Sequence, residues 1–327
     1  MDQRLTPAAL RKLRHALLTW YDVHRRELPW RCDADPYRVW VSEIMLQQTR
    51  VAAVVEHYAR FLRKFPTVQA LAAAREASVL AVWSGLGYYH RARRLHQAAK
   101  LVARQRRGIF PCTAEEWRQL PGIGRYTAAA IASIAFGEAV AVVDGNVERV
   151  LDRMFAAAEG KEAAWQRVEA LLDRERPGDF NQAMMELGAT VCTPRAPQCP
   201  VCPLHDWCTS RGANPARPQP ARKRKQLIYG LARRNGSVLL VQRPANASLM
   251  AGMWELPAFS FAPHNGGEPM AKLRHAITDT DYEVSVFAVA PAKFHASMVH
   301  GRWFARRQWE RLPLTGLARK ILRRLPA

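Results

Sequence analysis

The 327-residue sequence has no apolar run near the ~18 to 20 residues a helix needs to cross a bilayer. Its opening stretch, Met1 to Arg11, also lacks the apolar segment of a secretory signal, so a cytoplasmic location is expected. Cysteine is scarce, and four of the six cysteines crowd between Cys192 and Cys208. In a reducing compartment such crowding speaks for a metal site over disulfides. The isolated Cys32 and Cys112 read as small buried side chains. Acidic residues are few as well: 28 Asp and Glu against 49 Lys and Arg leave a formal charge of +21. That imbalance favours a polyanionic partner, nucleic acid first, through phosphate neutralisation and counterion release. No repeat of fixed period occurs, which excludes solenoids and propellers.

What is present is 49% hydrophobic residues, in a chain longer than one core usually organises, so two or more compact units are expected. From Thr6 to about Pro177 the pattern is helical. Leu10, Leu13, Leu17 and Tyr21 recur at helical spacing behind a Thr6 cap and Pro7, and Thr113 with Glu116 reads as a capping box. Between Ser210 and Gln226 the apolar periodicity stops. Pro215, Pro218 and Pro220 precede Arg222-Lys223-Arg224-Lys225, the composition of a basic linker. Strand-like runs then follow at Leu227 to Leu231, Ser237 to Val241 and Val284 to Val289, punctuated by Asn235-Gly236 and Gly266-Gly267, so the last hundred residues read as α+β.

Two constellations carry chemistry. Leu120-Pro121-Gly122-Ile123-Gly124-Arg125-Tyr126-Thr127 sets a glycine hairpin directly before a helix rich in alanine, Ala128 to Ile134. Free backbone N–H groups at Gly122 and Gly124, the positive helix end and Arg125 can there receive a DNA phosphate, a helix-hairpin-helix reading. Cys192, Cys199, Cys202 and Cys208 leave six, two and five residues between neighbours, interleaved with prolines, so four thiolates can converge on one centre. Zinc ribbons use two Cys-x-x-Cys pairs and only one is present, which leaves zinc as the second choice.

These features coincide in the helix-hairpin-helix DNA glycosylases that carry a [4Fe-4S] cluster, and within them the sequence resembles the MutY family. The matching segments are Leu28-Pro29-Trp30-Arg31, Val41 to Thr49 (VSEIMLQQT), Gly85-Leu86-Gly87-Tyr88-Tyr89, the hairpin, Val143-Asp144-Gly145-Asn146-Val147, and Asn181 to Gly188 (NQAMMELG). The resemblance covers nearly all of residues 20 to 210. It implies a cluster domain from residues 1–29 and 137–211, with the four cysteines as ligands, and a six-helix module at 30–136. A linker at 212–226 and a MutT-like (Nudix-like) domain at 227–327 would follow. The fold class is thus multi-domain, an all-α N-terminal part with a [4Fe-4S] loop and an α+β C-terminal part.

The implied activity is hydrolysis of the glycosidic bond of adenine mispaired with 8-oxoguanine or guanine. Adenine leaves readily only when protonated, so one carboxylic acid must donate near N7 and one carboxylate must sit beside the oxocarbenium-like sugar. The resemblance gives the first role to Glu43, whose neighbours Ile44, Met45 and Leu46 are apolar, and the second to Asp144. Tyr126 and Asn146 would orient Asp144, and Glu186 would assist around the flipped base. Trp30, Arg31 and Leu46 would line the base pocket, while Gln48 and Tyr88 would probe the duplex. Tyr126 stands where bifunctional relatives of the endonuclease III type carry a Schiff-base lysine, which implies a monofunctional enzyme. The expected partner is duplex DNA with an adenine mispair, bound by a monomer associated with the nucleoid and not with a membrane.

Leu249 to Pro257 (LMAGMWELP) resembles the opening of the MutT-like domain. Nudix hydrolysis itself is not expected, because Gly267 to Asp281 has only scattered acids where that chemistry needs a helix with paired glutamates. In the loop that contacts the oxidised guanine Ser297 aligns, but Ala296 and Met298 replace an aromatic and a histidine. The alternatives are an endonuclease III-like or T·G mismatch glycosylase and a noncatalytic DNA-binding iron-sulfur protein.

Overall fold

A computed structural model describes residues 6–156, 160–212, 222–247, 249–261, 267–277, 279–291 and 301–324. The chain forms two compact units, Met1–Ala72 with Gln97–Pro218, and Ala73–His96 with Gln219–Ala327. The boundaries cut across the six-helix module expected at 30–136, because residues 73–96 group with the C-terminal part.

In the first unit α1 (Pro7–His24) is capped as its sequence dictates, with Thr6 accepting from the Ala9 N–H and Pro7 at the first turn. Next come α2 (Pro36–Leu46), α3 (Val51–Lys64) and the short α4 (Val68–Ala73). In the second unit α5 (Glu76–Trp83) leads to α6 (Tyr89–Gln105), which runs back into the first. There α7 (Ala114–Arg118) and α8 (Arg125–Phe136) flank the glycine hairpin, and α9 (Gly145–Phe155), α10 (Lys161–Leu171) and α11 (Pro177–Thr190) follow. The helical region therefore does not end at Pro177. That proline occupies the first turn of α11, where its missing N–H breaks no helical hydrogen bond. At α7, Thr113 accepts from the Glu116 N–H as expected, but Glu116 reaches back to the N–H of Cys112 and not to its own cap residue.

The core of this unit joins α1, α9, α10 and α11 through Leu13, Leu17, Tyr21, Leu151, Val168, Phe180 and Leu187, all essentially inaccessible. Two glycines let α11 approach its neighbours. A Cβ on Gly188 would lie 2.6 Å from Cβ of Asn146, and one on Gly178 would lie 2.6 Å from the Ser133 carbonyl oxygen. Cys32 and Cys112 are exposed, contrary to the sequence expectation, since each sits in a turn just outside a helix.

The second unit adds two four-stranded sheets. One runs β5 (Ala258–Phe259), β1 (Lys223–Leu231), β7 (Thr280–Ala288), β6 (Ala271–Ile277), with only β1 and β7 parallel. In the other, β3 (Ser237–Gln242) pairs with β2 (Arg233–Arg234), β4 (Trp254–Glu255) and β8 (Gly301–Ala305). The short α12 (Arg306–Trp309) and the amphipathic α13 (Gly316–Arg324) close the unit, and α13 buries Leu317, Ile321 and Leu322 against the sheets. The Asn235-Gly236 turn joins β2 to β3 with both residues at positive φ, 48° and 71°, as a tight hairpin demands.

β1 begins at Lys223, inside the basic run expected to be linker. Its register with β7 pairs backbone with backbone, which needs no apolar pattern, while Arg222 and Lys223 meet Asp281 and Asp279. Gly267 to Asp281 holds β6 and the start of β7 in place of a helix. Ser297 and its neighbours from 292 to 300 lie outside the described residues.

Candidate active site

A cleft of about 840 Å³ opens in the first unit, lined by parts of α2, the hairpin, the start of α9 and the face of α11. Glu43, on α2, has 5% of its surface exposed. The Tyr126 hydroxyl, at the start of α8, donates to Glu43 Oε2 at 2.9 Å. Burial pushes the Glu43 carboxyl up to about 7, helped by the nearby Asp144 and opposed by the Tyr126 hydrogen bond and Arg31. A carboxyl poised there is half protonated at neutral pH and can act as a proton donor.

Asp144 meets the cleft as the N-cap of α9. Its Oδ1 accepts from the N–H groups of Asn146 (2.9 Å) and Val147 (2.8 Å), and its Oδ2 accepts from the Asn146 side-chain amide at 2.9 Å. Sequence alone favours this arrangement, because Asp followed by Gly-Asn stops the preceding extended run and starts a helix. Glu43 and Asp144 thus face one cleft in unlike surroundings, the first buried with one phenol donor and the second held by three N–H donors.

Asn146 is itself held. Arg149, one turn along α9, donates to its Oδ1 at 2.9 Å and also to the carbonyls of Gly188 (2.7 Å) and Cys192 (2.9 Å). Glu186, on α11, is fully buried with both oxygens engaged. Arg26 donates to Oε1 at 2.6 Å and Oε2 at 2.9 Å, and Arg31 to Oε2 at 2.9 Å. Burial works to raise the Glu186 carboxyl, but the two guanidiniums hold it below the usual range. Those bonds tie Glu186 to two arginines at the cleft wall.

Trp30, Arg31, Leu46 and Gln48 also line the cleft. Trp30 packs edge-on against Tyr58 with ring centres 5.4 Å apart. Gln48 holds a left-handed backbone, φ 54°, just past the end of α2. At the hairpin, Gly122 has φ 81°, and Gly124 caps α8 with open space where a side chain would be. The backbone N–H groups are therefore approachable. The Arg125 side chain is otherwise occupied: it pairs with Glu162 at 2.9 Å and lies 3.9 Å over the Trp165 ring.

The four crowded cysteines surround one hollow at the other end of α9, free of disulfides. Arg153 aims a guanidinium nitrogen at Cys192 Sγ, 3.3 Å away, and holds the carbonyls of Thr193 and Pro194. Gly212, at φ 85°, closes over Cys199, where a Cβ would come within 3.0 Å of the sulfur. Among the described residues, no three His, Cys, Asp or Glu side chains gather closely enough to ligate one metal ion.

Residues 41–174 match the model of the HhH-GPD superfamily of base excision DNA repair proteins. The chain is 40% identical to human adenine DNA glycosylase over 78% of its own length and 59% of the relative's. It is 42% identical to the Arabidopsis thaliana enzyme of that name over 76% and 47%. Among solved structures, a thermostable thymine-DNA glycosylase superposes with a TM-score of 0.58 at 30% identity, over 63% of this chain and all of that one. The chain belongs to the HhH-GPD superfamily of base excision DNA repair proteins and is similar to its adenine DNA glycosylases. It spans roughly half to two thirds of the length of its curated relatives. A DNA complex of endonuclease III, 23% identical with a TM-score of 0.56, covers 64% of this chain and 98% of that one and shares the fold.

The sequence singled out the two carboxylates, Tyr126 and the four cysteines, and the structure brings the first three into one cleft. Tyr88 is not among the residues lining it. It lies in the second unit at φ 47°, with the Arg91 guanidinium 5.2 Å over its ring. Arg26, Arg149 and Arg153 were missed. Each has a partner 39 or more residues away in sequence, and no local pattern marks an arginine that will meet a group so distant.

Proposed function

We propose that this chain is a monofunctional adenine DNA glycosylase that hydrolyses the N-glycosidic bond of adenine paired with 8-oxoguanine or guanine in duplex DNA. The observation that carries the reading is one cleft with two carboxylates in unlike settings. Glu43 is poised near pH 7 and Asp144 is held by three N–H donors. Protonated Glu43 donates to N7 of the flipped adenine, the C–N bond breaks as its electron pair leaves with the base, and Asp144 stabilises the oxocarbenium ion until water adds. Tyr126 hydrogen-bonds Glu43 and has no amine, so no Schiff base forms at that position. Glu186 is a positioning residue for Arg26 and Arg31, and Gln48 and Tyr88 fill the stack beside the extruded base. Phosphate is held by the backbone of Gly122 and Gly124, since Arg125 already has partners.

The cysteine ring suits a [4Fe-4S] cluster. Four cysteine sulfurs line one hollow, and only Cys199 and Cys202 form a Cys-x-x-Cys pair where a zinc ribbon uses two. When bound, such a cluster would supply four iron–thiolate bonds that pin the loop after α11. The β-rich part of the second unit is read as the MutT-like domain that inspects the opposite base through the loop bearing Ser297, and the protein acts as a monomer. Among the described residues no helix is long and apolar enough to cross a membrane.

The test is single-turnover base release from duplexes with adenine opposite 8-oxoguanine, guanine or cytosine, and from a T·G duplex, for wild type, Glu43→Gln and Asp144→Asn. Adenine release without strand cleavage, lost in both variants, is the expected result. Release of thymine but not adenine would transfer the chain to the mismatch glycosylases, and an unchanged Glu43→Gln would remove the catalytic reading.

A further inference from the structure

The turn that carries Tyr88 is built into the second unit. Between α5 and α6 the chain passes through Gly85 (φ 112°), Gly87 (φ 73°) and Tyr88 (φ 47°), and only the first two lack a Cβ. A left-handed tyrosine persists only where its surroundings over-determine it. Inside the turn, Trp83 Nε1 donates to the Gly87 carbonyl at 3.1 Å, and buried Arg91 lies between the Trp83 and Tyr88 rings.

The outer support comes from far along the chain. Ser84 and Tyr89 bracket the turn, and both hydroxyls donate to a single atom, the carbonyl oxygen of Leu314, at 2.6 and 3.0 Å. Arg319, on α13, completes the node by donating to Ser84 Oγ at 2.9 Å and to the Leu312 carbonyl at 3.3 Å. Leu314 is in turn fixed to β4, because the N–H of Trp254 binds the Pro313 carbonyl and the N–H of Thr315 binds the Trp254 carbonyl. Ser84, Tyr89 and Leu314 are all buried. A second grip lies further along α6, where Arg93 donates to the Ala251 carbonyl and pairs with Glu76.

We infer that Ser84, Tyr89 and Arg319 are positioning residues for Tyr88: the C-terminal part of the chain, through the Leu314 carbonyl, holds the turn in the conformation that presents the Tyr88 ring. The inference rests on the reading of Tyr88 as a duplex probe. It gives the C-terminal part a share in base extrusion besides any contact with the opposite base. A truncation before Leu312 would then impair the handling of every mispair, including those with an undamaged guanine.

The experiment uses the full chain and compares Ser84→Ala/Tyr89→Phe with its parent, alone and combined with Tyr88→Ala. Hydrogen exchange of residues 84–91 and the Kd for an adenine·8-oxoguanine duplex are measured, with Glu43→Gln in every variant to prevent turnover. The node variant should speed exchange in 84–91 and weaken binding about tenfold, a typical coupling for residues sharing one network, while exchange in α1 and α11 stays unchanged. In the Tyr88→Ala background the binding loss should vanish. Unchanged exchange in 84–91, or a binding loss that persists in full without the Tyr88 ring, overturns the inference. If Tyr88→Ala alone leaves Kd unchanged, the duplex-probing role fails, and the exchange result by itself decides whether the node positions the turn. Should the double variant not fold, Arg319→Lys, which keeps the charge but loses the fork spanning Ser84 and Leu312, serves in its place.

Discussion

Two carboxylates share this cleft in unlike surroundings. Asp144 receives three N–H groups, and Glu43 receives one phenol and is buried. The Glu43 carboxyl, pushed by burial from 4.5 to about 7, has a consequence for stability as well as for rate. Its folded pKa lies above its unfolded one, so its contribution to stability is fully present below about pH 4.5 and is lost as pH rises through about 7. Above that, ionised Glu43 costs the fold on the order of 3 kcal/mol, at about 1.4 kcal/mol for each pH unit between the two values. Glu43→Gln keeps an acceptor for the Tyr126 hydroxyl and removes the charge. It should therefore be inactive yet melt higher than wild type at pH 8, with little difference at pH 4.5. Calorimetry at the two pH values checks this, and a variant less stable at pH 8 would mean that the site does not hold a strained acid. For wild type, base release should fall as pH rises above 7, because the donor is then ionised.

At the scale of elements, α11 sets the geometry of the cleft by lying close to both α9 and α8. Gly188 touches the Asn146 backbone and Cβ, and Asn146 holds Asp144. Gly188→Ala must therefore push α9 away or tilt it, at a cost of about 1 to 3 kcal/mol for overpacking. It should also slow base release by at least about tenfold, since a misplacement of one ångström at a reacting group carries a penalty of that size or more. Melting and single-turnover rates measured together are decisive: a slower enzyme with unchanged stability would assign Gly188 some other role. This contact could not be read from the sequence, where Gly188 is one more residue in a helical run. What was legible depended on local rules. Caps at Thr6 and Asp144, the glycine hairpin before α8 and the β-branched and apolar runs of β1, β3 and β7 each follow from a few neighbouring residues. The start of β1 at Lys223 was hidden because its partner is the β7 backbone and not an apolar face. The helical start of Pro177 was hidden because proline stops a helix from inside and begins one from outside. The fully engaged Glu186 was hidden because both its partners, Arg26 and Arg31, lie more than 150 residues upstream.

At the scale of the whole molecule, +21 formal charges are spread over a chain whose buried ion pairs consume few of its 49 basic residues. One strongly basic stretch among the described residues runs from Arg302 to Arg324, with Arg306, Arg307, Arg311, Arg319, Lys320 and Arg323 between them and Glu310 the single acid. A duplex neutralised by such a surface releases condensed counterions, and the logarithm of the binding constant then falls by about 0.9 per phosphate contact for each decade of salt. With six contacts, raising salt from 50 to 200 mM should weaken binding about a thousandfold or more, for matched and mispaired duplexes alike. The ratio between the two should hold nearly constant, because it reflects extrusion of the base and its fit in the cleft, both largely free of ion release. Titrations of both duplexes across that range test the separation. A steep common slope with a constant ratio would assign affinity to the basic surface and discrimination to the cleft. A ratio that collapses with salt would mean that the charged surface itself tells the mispair from a matched pair, and the division of labour argued from the fold would be wrong.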